Sequence, residues 1–396
     1  METKKVNRRD FFRWSATAGA GALFFPNVAA STMSASSVSK TTEYPTRILG
    51  RTGLKLPILS MGVMRADNPN VVRAAYNAGI THFDTAHGYQ NGKNEEMLGN
   101  FFKDKPRDSF TIATKGKFDY PLKDSFEKDY TEMLDLSLKR LQMDYVEIFF
   151  THALDKPGQI TDERVINLLK KFKADGKIRN IGFSTHANKP ELIDAGVKAG
   201  VYDVILLSYN FKLNTLKETD EAIERGIKAG VGFVAMKTMT GGVEDAAGKK
   251  KINAQACLKW VWKNENIATI IPGFSNFDEL DECLAAVKDT ALTNSEKEYL
   301  AMLCDKEMLY CQQCGKCKEV CAEHLPIPDM MRAYMYAYGY KNASLSKETL
   351  LELNLPEKTC QTCKNGCKVQ CPSGFDVAKK IAAIKPVMNV PNEFLT

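Results

Sequence analysis

From about Thr46 to Lys288, short apolar runs alternate with longer stretches in which apolar residues recur every three or four positions. The short runs are LPILSMGVM, THFDTA, FTIATKGK, VEIFFTHA, RNIGFSTH, YDVILLSYN, VGFVAMKTM and ATIIPGF. Several are rich in β-branched residues, and they predict strands. The stretches between them, such as SFEKDYTEMLDLSLKRLQ and DERVINLLKKFKADG, have the spacing of amphipathic helices. Gly79, Gly176, Gly200 and Gly230 fall where such helices end and a left-handed residue is wanted. Eight strand–helix repeats over about 250 residues predict an α/β fold of the (β/α)8 TIM-barrel type, spanning residues 46–292. A doubly wound open sheet is the rival, but no G-x-G-x-x-G follows the first strand.

A chain of 396 residues is long for one domain, and 44% hydrophobic residues provide for a sizeable core. The net charge is +6, and the first thirty residues carry half of it. The rest is too weakly and evenly charged to point to nucleic acid. The amino terminus reads NRRDFFRWSATAGAGALFFPNVAAS. Its apolar part is short and broken by Gly and Pro, unlike a membrane span. Arg8 and Arg9 followed by two phenylalanines resemble a twin-arginine export signal over residues 1–30. An uncleaved basic anchor is the blander alternative. Residues 31–45, rich in Ser and Thr, read as a linker. The expectation is a periplasmic or otherwise exported chain with no integral span once mature.

In a barrel of this kind, chemistry belongs at the C-terminal ends of the strands. Those ends carry Asp84, Lys115, His152, Ser184, Tyr209, Lys237 and Gly273. The segments FDTAHGYQNGKNEEMLG, ATK, FFTHALD, GFST and IIPGFSNFDELDEC, in this order and spacing, resemble the aldo/keto reductase superfamily. The resemblance covers roughly residues 46–290. It implies a catalytic tetrad of Asp84, Tyr89, Lys115 and His152. Tyr89 would be the general acid in carbonyl reduction and the general base in alcohol oxidation. Lys115 would lower its pKa, Asp84 would orient Lys115, and His152 would position the substrate oxygen. The resemblance also implies a nicotinamide, NADH or NADPH, held near Ser184, Thr185, Tyr209, Lys237, Gly273, Phe274, Ser275 and Glu282. Glu279 stands where NADPH-preferring members carry an Arg, and a carboxylate there would repel a 2′-phosphate. His82 and His87 flank the tetrad and read as ordinary packing residues.

Eight of the eleven cysteines lie in two short runs. The first is Cys311-x2-Cys314-x2-Cys317-x3-Cys321, and the second is Cys360-x2-Cys363-x3-Cys367-x3-Cys371-Pro. Three close thiols and a fourth three residues on is iron–sulfur spacing. A disulfide knot and zinc are the competing readings. The runs resemble bacterial ferredoxins, and the helical insert between them resembles α-helical ferredoxin modules. This implies a small, mainly α-helical ferredoxin-like domain within residues 293–396, with two [4Fe–4S] clusters. In two-cluster ferredoxins the fourth Cys of each run ligates the other cluster. That pairs Cys311, Cys314 and Cys317 with Cys371, and Cys360, Cys363 and Cys367 with Cys321. The Met/Tyr stripe of the insert reads as packing.

The expectation is therefore an oxidoreductase acting on a small aldehyde, ketone or sugar-like alcohol. Three readings are open for the whole chain. Its clusters would relay electrons to a redox partner protein, or shape a docking face for one, or the barrel would be no enzyme at all. The intact tetrad speaks against the last.

Overall fold

The computed structural model describes residues 44–241, 252–304, 309–353, 355–356, 360, 363 and 367–395. The export signal and nearly all of the linker lie outside these residues. The strands are β1 (Thr46–Ile48), β2 (Lys55–Pro57), β3 (Met61–Gly62), β4 (His82–Asp84), β5 (Thr111–Gly116), β6 (Val146–Thr151), β7 (Ile178–Thr185), β8 (Val204–Ser208), β9 (Gly232–Met236) and β10 (Ile267–Ile270).

Strands β3 to β10 form one eight-stranded sheet in sequential order, with parallel pairing throughout. A parallel bridge between Leu59 and Ile270 closes it into a barrel. Helices cover the outside and side chains fill the inside, so the strands are apolar on both faces. That is why β6 and β8 are buried at every position. Gly79, Gly176, Gly200 and Gly230 all take positive φ at helix ends, as expected.

The run LPILSMGVM divides. Lys55–Pro57 pairs antiparallel with Thr46–Ile48, and Met61–Gly62 alone enters the barrel. Pro57 lacks an N–H and suits the end of a hairpin strand better than a central ladder. Leu49 and Leu56 of this hairpin pack on Ala113, Ile148, Phe150, Val204 and Leu206, which plugs one end of the barrel.

The described residues belong to a single compact unit, Thr42–Thr396. The helix Asn294–Cys304 packs Leu300 and Leu303 on Ala256 and Cys257 of the helix Ala254–Trp262, so it lies on the barrel wall. Further on come the helices Lys316–Val320 and Ile327–Tyr334, a π-helical turn Met335–Gly339, and the helices Ala343–Leu351 and Val377–Ile384. Met330, Met331, Tyr334, Leu350, Ile381 and Ile384 form their core, and Met64 of the barrel packs against it. The approach is tight. A Cβ at Gly339 would meet the carbonyl oxygen of Gly241 at 2.1 Å, so no other residue fits there without moving the backbone.

Candidate active site and cysteine clefts

The tetrad residues come together at the C-terminal face. Asp84 ends β4 and Lys115 sits in β5, one strand over. The Lys115 ammonium donates to Asp84 Oδ1 and to the Thr85 carbonyl, the latter at 2.6 Å. Both side chains are almost fully buried. Lys115 Nζ lies 5.0 Å from the centre of the Tyr89 ring. The Tyr89 and His152 rings meet edge to face with centroids 5.9 Å apart. Burial, with the nearby Lys115 charge, holds the His152 pKa well below the ordinary value, so its imidazole is neutral.

Tyr89 departs from expectation. Its pKa is raised, first by burial and then by the Asp84 carboxylate. The opposing, lowering charge is Arg332 of the tail. Lys115 is tied to Asp84, so the pair presents Tyr89 with little net positive charge. Arg332 also acts on His152, His186 and Lys237, and pairs with Asp329 at 3.0 Å.

A cavity of about 370 Å³ opens beside the tetrad. Asp84, Tyr89, Lys115, Lys237, Gly273 and Glu282 line it, together with Arg65, Glu279 and Cys283. Tyr338, Gly339, Tyr340 and Lys341 of the tail form part of its wall. Lys237 follows β9 with φ of +56°, a strained conformation for a residue with a side chain. Its ammonium donates to the Tyr340 hydroxyl at 3.2 Å and lies 5.4 Å from the Tyr336 ring centre. Burial lowers its pKa and the nearby Tyr336 opposes that shift. Arg65 stacks over Tyr340 at 5.0 Å and bonds to Glu279 at 3.4 Å. Glu279 also accepts from the Ser275 amide at 2.8 Å and from its hydroxyl at 3.1 Å. The carboxylate expected to repel a phosphate is thus partly neutralised and turned onto its own loop.

The other expected cofactor residues are placed differently. Ser184 Oγ accepts from the Ala153 amide at 2.8 Å, and Thr185 Oγ1 accepts from the Ala187 amide at 3.1 Å. The Tyr209 hydroxyl donates to Asp220 at 2.6 Å and its ring packs near Trp260. Phe274 is fully buried in the barrel core. All four serve the scaffold, and none is among the residues that line the cavity. His82 and His87 are packing residues as expected, bonded to Thr111 at 2.7 Å and Ser137 at 2.9 Å. The rule that picked out strand ends would have found Arg65, just after β3. The stripe read as packing is only partly that, because Tyr336 and Tyr340 turn to the barrel.

Among the described residues no two cysteines are joined by a disulfide. Among the described residues no three His, Cys, Asp or Glu side chains converge as around a single metal ion. The thiols nevertheless fall into two groups. Cys311, Cys314, Cys317 and Cys371 line one cleft, walled by Ile327, Pro328, Met331, Phe375 and Val377. Burial pushes the Cys311 thiol up to about 12, with Cys317, Cys371 and Cys314 adding to it. Cys360 is raised by burial and then by Cys367, Cys321 and Cys363. Cys371 of the second run thus lines the same cleft as the first three thiols of the first run, and the charge of Cys321 reaches Cys360.

The aldo/keto reductase family model matches residues 55–255, half of the chain. The chain belongs to the aldo/keto reductase family. It is 28% identical over 300 residues to an L-galactose dehydrogenase of Arabidopsis thaliana, covering 66% of this chain and 93% of that protein. It is 26% identical over 316 residues to the L-glyceraldehyde 3-phosphate reductase of Escherichia coli K12, covering 64% and 89%. A shorter match, 36% over 124 residues, is to an NADP(+) aldo-keto reductase of Schizosaccharomyces pombe, covering 30% and 36%. Among solved structures, the holo aldo-keto reductase of Bacillus halodurans superposes with a TM-score of 0.54 at 23% identity, covering 66% of this chain and 96% of that one. That likeness shows the barrel fold. This aldo/keto reductase is an oxidoreductase acting on carbonyl substrates.

Proposed function

We propose that this aldo/keto reductase interconverts a small aldehyde, ketone or sugar-like carbonyl with its alcohol, using a nicotinamide in the cavity and Tyr89 as general acid and base. The observation that carries this is the buried Asp84–Lys115 pair facing the Tyr89 ring, with neutral His152 at its edge. Bound NAD(P)H supplies a hydride, and the residues at hand fit it: a lined cavity bounded by Arg65, Lys237, Gly273 and Glu282. The names of the relatives, a sugar dehydrogenase and a sugar-phosphate reductase, favour a polyhydroxylated substrate. His152, neutral, donates a hydrogen bond to the carbonyl oxygen and orients it toward Tyr89. The Tyr89 hydroxyl then hands its proton to that oxygen. Lys115 and Arg332 stabilise the phenolate left behind.

The tail in this reading holds two [4Fe–4S] clusters. Cys311, Cys314, Cys317 and Cys371 would hold one, and Cys360, Cys363, Cys367 and Cys321 the other. Four thiols around a largely apolar cleft fit such a group, because only a cation-rich centre lets all four ionise together. Bound clusters supply one-electron transfer toward a redox partner protein. The alternative, a structural or partner-docking tail, has its own support, since Tyr338 to Lys341 wall the cavity. Export by the twin-arginine route to the periplasm belongs to the same proposal and rests on NRRDFF. Among the described residues no helix is long and apolar enough to cross a membrane.

Oxygen-free titration of the purified chain with NADH and then NADPH tests the coupling. Bleaching of the visible iron–sulfur absorbance supports electron transfer from the barrel to the tail. Clusters reducible by dithionite but not by either nicotinamide would leave the structural role. Tyr89→Phe with unchanged carbonyl turnover would refute the acid–base assignment.

A further inference from the structure

Lys189 opens the helix Lys189–Ala199 after β7, and it is 2% exposed. Its ammonium donates to the His186 carbonyl at 2.8 Å. No carboxylate pairs with it among the described residues. A buried cation with no counter-anion is costly, and proteins seldom keep one without a charge to answer it. The charges that reach Lys189 and favour its protonated form are those of Cys311 and Cys314. The same His186 carbonyl accepts from the Ser208 hydroxyl at 3.5 Å, and Ser208 bonds the Tyr310 hydroxyl one residue before Cys311, so shared hydrogen-bond partners link the ammonium to the first cysteine cleft.

That cleft is docked on the barrel. The Tyr310 hydroxyl, one residue before Cys311, bonds Ser208 at the end of β8. Gln312 accepts from the Asn214 amide at 2.9 Å, and Asn214 reaches Ser373 at 3.3 Å, two residues after Cys371. Lys318 pairs with Asp155 beyond β6 at 3.8 Å. The loops after β6, β7 and β8 thus seat one thiol group. The other group shows a contact inside the tail, Cys363 with Glu323 at 3.9 Å.

We propose that Lys189 is the built-in counter-cation of the cluster in the barrel-side cleft, and that it raises that cluster's reduction potential selectively. This rests on the reading above that the tail holds clusters. A cluster on four thiolates is anionic and gains one further negative charge when it takes an electron. A fixed cation in a low-dielectric wall favours the reduced form. The barrel-side cluster would then be the one poised to take the electron first.

The test is an EPR-monitored redox titration of the full chain, purified without oxygen, with dithionite as reductant. Lys189→Met keeps the volume and removes the charge, Lys189→Gln is the polar alternative should the first fold poorly, and Lys189→Arg restores the charge. A Cys314→Ser variant identifies the barrel-side signal and Cys367→Ser the other. The expected result is a tenfold or larger drop in the reduced-to-oxidised ratio of the barrel-side cluster at fixed potential, about 59 mV for one electron. The second cluster should move much less, and Lys189→Arg should return the first toward its starting value. Two clusters with unmoved midpoints, or a shift confined to the second, would overturn the proposal alone. A chain without iron and acid-labile sulfide would overturn the cluster reading, and this proposal with it.

Discussion

Breaking the Asp84–Lys115 pair from either side should cost more than removing it whole. Asp84→Leu leaves the Lys115 ammonium buried, with the Thr85 carbonyl at 2.6 Å as its remaining hydrogen-bond partner. Lys115→Met leaves a carboxylate whose Oδ2 already lacks a partner. Removing one partner of a buried ion pair costs about 3–5 kcal/mol. For a domain of this size each kcal/mol moves Tm by about 2–4 °C, so each single variant should melt roughly 6–20 °C lower. The lower end applies to Lys115→Met, because burial already raises the Asp84 pKa and the freed carboxyl can protonate. The double variant Asp84→Leu/Lys115→Met carries no buried charge and should recover most of the loss. Carbonyl turnover should fall by about 100-fold or more in the two variants that lack Lys115, which lose the ammonium facing the Tyr89 ring. Thermal and denaturant midpoints of the full chain, with turnover measured alongside, complete the cycle. Single losses that simply add in the double variant would show that the two charges do not act as one buried unit, and the argument would fail.

Other outcomes follow from the same geometry. Tyr89→Phe should cut turnover by about 10²–10⁴-fold while leaving Tm near wild type. Arg332→Met removes the charge that lowers the Tyr89 pKa, so the pH at which alcohol oxidation reaches half-maximum should move upward; an unmoved profile would dissociate the tail from the acid–base step. His82, His152 and His186 are buried and neutral, with pKa values below the ordinary 6.5, and His82 lies at about 3. The unfolded chain takes up those protons first, so stability is present above pH 6.5 and is lost as pH falls toward the folded values, by about 1.4 kcal/mol per pH unit per group. His82→Gln should flatten that acid slope in denaturation midpoints between pH 6 and pH 4. Gly339→Ala forces apart the backbones at Gly339 and Gly241, and limited proteolysis should then cut the tail faster while the barrel survives.

The barrel was written in the alternation of apolar runs and helical stretches, because parallel strands buried on both faces cannot be anything but apolar. Three of the four tetrad positions were legible for a related reason, whereas Tyr89 entered only through the family resemblance. Asp84, Lys115 and His152 are polar residues set at the ends of those runs, and the barrel brings strand ends together whatever the loops do. The thiols were legible from their spacing alone. What the chain could not reveal locally is which strand-end side chains turn outward. Tyr209 and Phe274 look like pocket residues in sequence, but packing on Trp260 and the barrel core claims them. Nor could it reveal that Arg332, Tyr336 and Tyr340, more than two hundred residues beyond Tyr89, act at the active face. Their contact with Lys237 and Arg65 depends on how the tail docks, and docking is decided by contacts far apart in the chain, such as the close backbone approach of Gly339 to Gly241. The Tyr89 pKa follows the same division. Its neighbours Asp84 and Lys115 were named by motif, but its upward shift comes from burial and from charges cancelling across space, which only the folded chain determines.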